Sequence, residues 1–138
     1  MDEIKKQELT DFLGQWKETP SQIKRIFLHY KDFLEEKNGV TLDFIPRPGI
    51  TYSLRAVHEN QCSKELFVMV DVIDDDSRWI SICFYHTMIS DPEEEGDWVP
   101  GGLLGEDALC FDLDKYDETL VHYLDARLEE AWQAAQKR

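Results

Sequence analysis

A chain of 138 residues, 42% hydrophobic and 12% aromatic, has the usual size of one folded domain and enough apolar material for a core, which excludes intrinsic disorder. Its 29 acidic residues against 15 basic ones leave a formal net charge of −14, a balance that disfavours nucleic acid and anionic lipid as partners. Cys62, Cys83 and Cys110 cannot all pair within the chain and show no Cys-x-x-Cys spacing, and no run is apolar enough for a leader or a membrane span, so a cytoplasmic protein is expected.

Ile4, Leu9, Phe12, Leu13 and Trp16 recur at near-helical spacing and predict a first helix over about 3–16. A second follows over about 20–38. Thr19 or Ser21 caps it, Pro20 suits its first turn, and Ile23, Ile26, Phe27, Tyr30, Phe33 and Leu34 form its stripe. Asn38-Gly39 then stops it, because both residues tolerate the left-handed conformation.

Beyond Gly39 the period changes from 3.6 to 2, predicting strands at Val40–Ile45, Ile50–His58, Leu66–Ile73 and Trp79–His86. Short connections rich in Pro, Gly, Asn and Asp join them, so consecutive strands pair as antiparallel neighbours. The stretch 90–108 carries Pro92, Gly96, Pro100, Gly101, Gly102 and Gly105 and reads as a long acidic loop, with Leu109–Leu113 adding a short edge strand. Asp117 caps a last helix over about 117–136, whose stripe includes Leu120, Val121, Leu124, Leu128, Ala131 and Trp132. The expected fold is α+β: one domain over 1–138, with an antiparallel four- to five-stranded meander sheet at about 40–89. The N-terminal helices and the long C-terminal helix pack mainly on one face of it.

Alternation divides the sheet into two faces. One set, including Leu42, Phe44, Tyr52, Leu54, Leu66, Val68, Val70, Ile80, Ile82 and Phe84, is almost wholly apolar and belongs beneath the helices. The other contains Asp43, Arg55, Phe67, Met69, Asp71, Ile73, Trp79, Cys83 and Tyr85, too apolar to stand bare. Its expected cover is the first helix with the long loop, a second copy of the chain, or another molecule. Arg55 is expected to pair with Asp71 or Asp43, and a single β-bulge would exchange the faces.

Known chemical patterns find little purchase. Asp91 to Asp97 resembles the start of an EF-hand calcium loop, but Gly102 stands where the bidentate Glu belongs and no helix precedes it. Asp74-Asp75-Asp76 is turn chemistry, and the glycine-rich run 101–106 lacks the Lys-Ser/Thr of a phosphate loop. Cys83 and Cys110 read as ordinary buried thiols. No catalytic residue, metal ligand or cofactor is assigned.

The sequence therefore points to a non-catalytic protein-interaction or regulatory domain. It would hold a protein partner, or form a homodimer with its own copy, through Arg55, Phe67, Met69, Asp71, Trp79 and Tyr85 of the mixed face together with Glu93, Glu95, Asp97 and Trp98 of the acidic segment. The alternative is a small-ligand binder or enzyme with a pocket between the 90–107 loop and the sheet, Arg55 holding an anion and Asp71 or Tyr85 moving a proton.

Overall fold

A computed structural model describes residues 1–137 and consists of three helices and a six-stranded antiparallel sheet. In chain order these are α1 (Glu3–Gln15), α2 (Ile23–Glu35), β1 (Val40–Arg47), β2 (Thr51–His58), β3 (Val68–Ile73), β4 (Trp79–Tyr85), β5 (Asp97–Leu103), β6 (Glu106–Leu113) and α3 (Glu118–Gln136). The spatial order is β1-β2-β3-β4-β6-β5, a meander through the first four strands followed by a hairpin whose second strand returns beside β4. Among the described residues no helix is long and apolar enough to cross a membrane.

Each helix begins and ends for a local reason. Asp2 and Asp117 accept hydrogen bonds from the Lys5 and Leu120 amides and so cap α1 and α3. The expected Thr19 or Ser21 cap of α2 is replaced: those hydroxyls bond each other, and the chain enters through Gln22 in the left-handed region (φ 60°), so the helix starts at Ile23. Gly39 (φ 76°) ends the connection after α2, and a Cβ there would fall 2.5 Å from the His58 ring.

All three helices cover the same face of the sheet. Phe12 of α1 stacks on Tyr52 at 4.0 Å and lies 5.6 Å from Phe44, while Ile26, Phe27 and Tyr30 of α2 and Leu124, Leu128 and Ala131 of α3 complete one core with Leu54, Val70, Ile80 and Ile82. Arg78, from the β3–β4 turn, lays its guanidinium against Phe12, Trp16 and Tyr52 at 5.1–5.3 Å from their ring centres and donates to Asp74, 3.1 Å away. Asp74 in turn accepts from the Gly49 amide, so one residue ties the two turns at this end of the sheet to α1. The first helix therefore does not cover the second face, contrary to one expectation.

The segment expected to be an acidic loop is mostly sheet. β5 and β6 form a hairpin closed by Leu104 (φ 51°) and Gly105 (φ 87°), two consecutive left-handed residues of the kind a two-residue hairpin turn requires. Pro100 is tolerated because β5 is an edge strand, and a register shift between Val99 and Leu103 absorbs Gly101 and Gly102. The expected edge strand at 109–113 is thus longer and internal. Residues 90–96 are pinned to α3: Ser90 donates to Glu130, and Asp91 accepts from the Tyr123 hydroxyl and from the Glu95 and Gly96 amides. Burial of Asp91 works against its ionisation, but these donors outweigh it and hold its carboxyl below the usual range.

Candidate functional site

The alternation that defines the second face holds from Met69 onward and fails one residue earlier. Val68 pairs with Ala56, and the Phe67 amide also donates to the Ala56 carbonyl at 2.8 Å, so two residues oppose one in a β-bulge. Phe67 and Val68 both enter the helix-side core, each 0% exposed, and Leu66 turns to the other face. Phe67 is therefore not part of the mixed face and Leu66 not part of the helix-side one, which corrects the sequence-based assignment of these two residues, while Val68 lies where expected. Gln61 fixes the preceding loop, accepting from the His58 amide and donating to the Leu66 carbonyl.

Read across from β1, the second face carries Asp43, Arg55, Met69, Cys83 and Cys110 in one row and Ile45, Ser53, Asp71, Ser81 and Asp112 in the next. The two ends of this face differ. Leu66, Leu103 and Ala108 close over Cys83, Cys110 and Tyr85 as a small second core, with Met69 and Val99 at its margin. Burial raises the Tyr85 phenol above its ordinary range, so it is a poor proton carrier near neutral pH. At the Trp79 end, Ile73, Trp79, Asp71 and Ser81 keep part of their surface, uncovered among the described residues.

The tip of the β5–β6 hairpin arches over the face as far as β2. Leu104, 44% exposed, joins Thr41, Asp43, Arg55, Val57, Glu65 and Leu66 in lining a pocket of about 260 Å³. A Lys64–Glu106 ion pair holds the tip against the β2–β3 connection, with the Lys64 ammonium 5.1 Å from the centre of the Tyr85 ring.

The expected Arg55 ion pairs are absent from the described residues. Arg55 Nε donates to Ser53 Oγ at 3.1 Å, while Asp43, directly opposite on β1, lies 3.7 Å from Lys5 instead. Asp71 Oδ1 is buried without a hydrogen-bond partner, and desolvation raises its carboxyl above the usual range against the opposing pull of Ser53, Arg55 and Arg47. A guanidinium and a carboxylate on adjacent strands thus face the same side without joining.

The remaining sequence-based candidates disperse. Trp98 is 54% exposed but pairs with Leu109 in the row of Phe84, on the helix side, where its ring lies 4.6 Å from that of His86. Glu93 and Glu95 border a groove with Asp117, Leu120, His122 and Tyr123 at the start of α3, which shares no lining residue with the Arg55 pocket. Asp97 opens β5 opposite Cys110 and is exposed. The structure thus leaves Arg55, Met69, Asp71, Trp79 and Tyr85 on one face, with Trp79 at its open end and Tyr85 in its closed one, and adds Thr41, Val57, Glu65 and Leu104 around Arg55, which were not among the sequence-based site residues. Alternation alone places Thr41 and Val57 on the face of Asp43 and Arg55, and Gly105 is a turn signal beside Leu104.

β1 is closed to strand addition at its middle, since the Phe44 amide is taken by the Asp43 carboxylate and its carbonyl by Lys5. Among the described residues no group of three His, Cys, Asp or Glu side chains could hold a metal ion. Comparison with family models, with curated proteins and with solved structures finds no match to this chain.

Proposed function

We propose that this chain is a non-catalytic protein-interaction domain that takes its partner on the second face of the sheet, with the Arg55 pocket as the anchor point. The observation that carries this reading is the state of Arg55: its Nε is bonded to Ser53, yet its guanidinium forms no ion pair among the described residues and borders a recess that the hairpin tip helps to line. A planar guanidinium placed this way is suited to a carboxylate or carbonyl oxygen of a bound chain. The recess, at about 260 Å³, lies below the ~300–1,000 Å³ of most small-molecule sites and suits one anchoring side chain. Ile73 and Trp79 extend the contact over the open end.

A second reading draws on the same pocket. A free carboxylate of amino-acid size could occupy it alone, its oxygens on Arg55 and its carbon skeleton on Val57, Leu66 and Leu104. Panning a random peptide library against the wild-type protein, with counter-selection on Arg55→Glu, separates the two. The interaction reading expects a peptide family that binds wild type and loses at least tenfold in affinity with Arg55→Glu or Trp79→Ala. Peptides that bind both proteins equally, or no enrichment beside thermal stabilisation by small carboxylates, would overturn it in favour of other surfaces or of the small ligand.

A further inference from the structure

Cys83 and Cys110 face each other across the β4–β6 pair on the second face. Three residues along the same pair, the His86 amide donates to the Asp107 carbonyl, which makes His86–Asp107 a hydrogen-bonded position. Counting back by alternation, Tyr85–Ala108 is non-hydrogen-bonded, Phe84–Leu109 is hydrogen-bonded, and Cys83–Cys110 is again non-hydrogen-bonded. At such positions the facing Cα atoms stand roughly 4.5 Å apart, inside the ~4.4–6.8 Å that a disulfide accepts.

The surroundings of the two sulfurs differ. Cys83, 6% exposed, lies beside Ser81, whose hydroxyl is 3.7 Å from its sulfur, at the boundary between the closed and the open ends of the face. Cys110, 8% exposed, lies on the hairpin side of the pair, in the same cluster with Leu103 and Ala108. Hydrogen bonding from Cys110, supported by Ser81, lowers the Cys83 thiol, and the same pairing raises that of Cys110. The third cysteine, Cys62, is exposed and sits on the β2–β3 connection, outside this strand pair.

We infer that Cys83 and Cys110 form a peroxide-reactive dithiol, with Cys83 as the attacking sulfur and Cys110 as the resolving one, a property separate from the binding reading above. The Cys83 thiolate attacks one oxygen of a hydroperoxide and the O–O bond breaks. Hydroxide, or alkoxide from an organic peroxide, departs and takes up a proton, leaving Cys83 as a sulfenic acid. The Cys110 sulfur, losing its proton, then attacks the Cys83 sulfur; the S–S bond forms, the S–O bond breaks and water leaves. Two thiols are oxidised by two electrons, and hydrogen peroxide is reduced to two waters. A small oxidant is the co-reactant that suits sulfurs this enclosed, and the product is a staple between β4 and the hairpin that roofs the Arg55 pocket.

The folded protein is exposed to stoichiometric hydrogen peroxide, quenched, unfolded, alkylated and peptide-mapped, beside the variants Cys62→Ser, Cys83→Ser and Cys110→Ser, each checked for native circular dichroism. The wild type and Cys62→Ser are expected to lose two alkylatable thiols, yield a Cys83–Cys110 linked peptide reversed by dithiothreitol, and melt on the order of 10 °C higher when oxidised. Cys110→Ser should accumulate a sulfenic acid on residue 83 that dimedone traps, and Cys83→Ser should leave Cys110 unmodified. Full alkylation of both cysteines after treatment that oxidises Cys62 overturns the inference, as does oxidation of Cys110 in the Cys83→Ser variant.

Discussion

Replacing Phe67 with alanine tests the bulge that divides this sheet. The side chain is 0% exposed and packed among Val68, Val70 and the helix stripes, so its loss removes the transfer energy of a whole phenyl ring and leaves a cavity that flanking strands cannot fill. Phe→Ala changes of this kind cost about 3–5 kcal/mol. Set against the total of roughly 5–15 kcal/mol typical of a domain, the variant should fold with a urea midpoint lowered by about 2 M for a slope near 2 kcal/mol per M. Leu66→Ala, in the smaller second cluster, should cost about 2–3 kcal/mol. Were Phe67 instead on the half-open face that plain alternation assigns it, truncation would cost under about 1 kcal/mol. Urea denaturation followed by tryptophan fluorescence reads the difference, and a Phe67→Ala midpoint within about 0.5 M of wild type would refute the bulge.

Further outcomes follow from the same packing. Arg78→Ala should lower stability by roughly 2 kcal/mol, because it removes a guanidinium from three aromatic rings as well as the Asp74 bond, and Arg78→Lys should recover part of it; denaturation at low and high salt checks both. Gly96→Ala should cost about 1–3 kcal/mol, since the new Cβ would lie 2.8 Å from the Phe111 ring, and an unchanged melting temperature would contradict that approach. Asp71→Asn should raise stability at neutral pH. Its folded carboxyl is shifted upward by burial, so the proton-linked stability is full below the unfolded value and lost as pH rises through the folded one; the gain over wild type should vanish in acid, read from a pH series of urea midpoints.

Strong periodicity made much of this fold legible. The helix stripes, the Asp117 cap and the four-strand meander appear where spacing predicts them, because burial of one face fixes both period and register. What sequence alone concealed were departures from regular spacing. A bulge at Phe67–Val68 leaves no composition signal, since both residues suit either face. β5 was obscured by Pro100, Gly101 and Gly102, residues that an edge strand with a register shift accommodates and a central strand does not. Arg55 and Asp71 lie on one face, yet Arg55 was expected to pair with Asp71 or Asp43, where Ser53 instead engages Arg55 and Lys5 instead lies by Asp43. The pocket itself depends on the hairpin reaching from the far side of the sheet to β2, a long-range arrangement that no local pattern encodes.

The most direct measurement is an amide chemical-shift map of the isotope-labelled protein titrated with a peptide selected on the wild type. Perturbations should concentrate at Thr41–Asp43, Arg55–Val57, Glu65–Leu66 and Leu104, extending to Ile73 and Trp79, and Arg55→Glu should abolish them. Shifts confined to Glu93–Glu95 and the first turns of α3, or a pattern that survives Arg55→Glu, would contradict a partner seated on the second face.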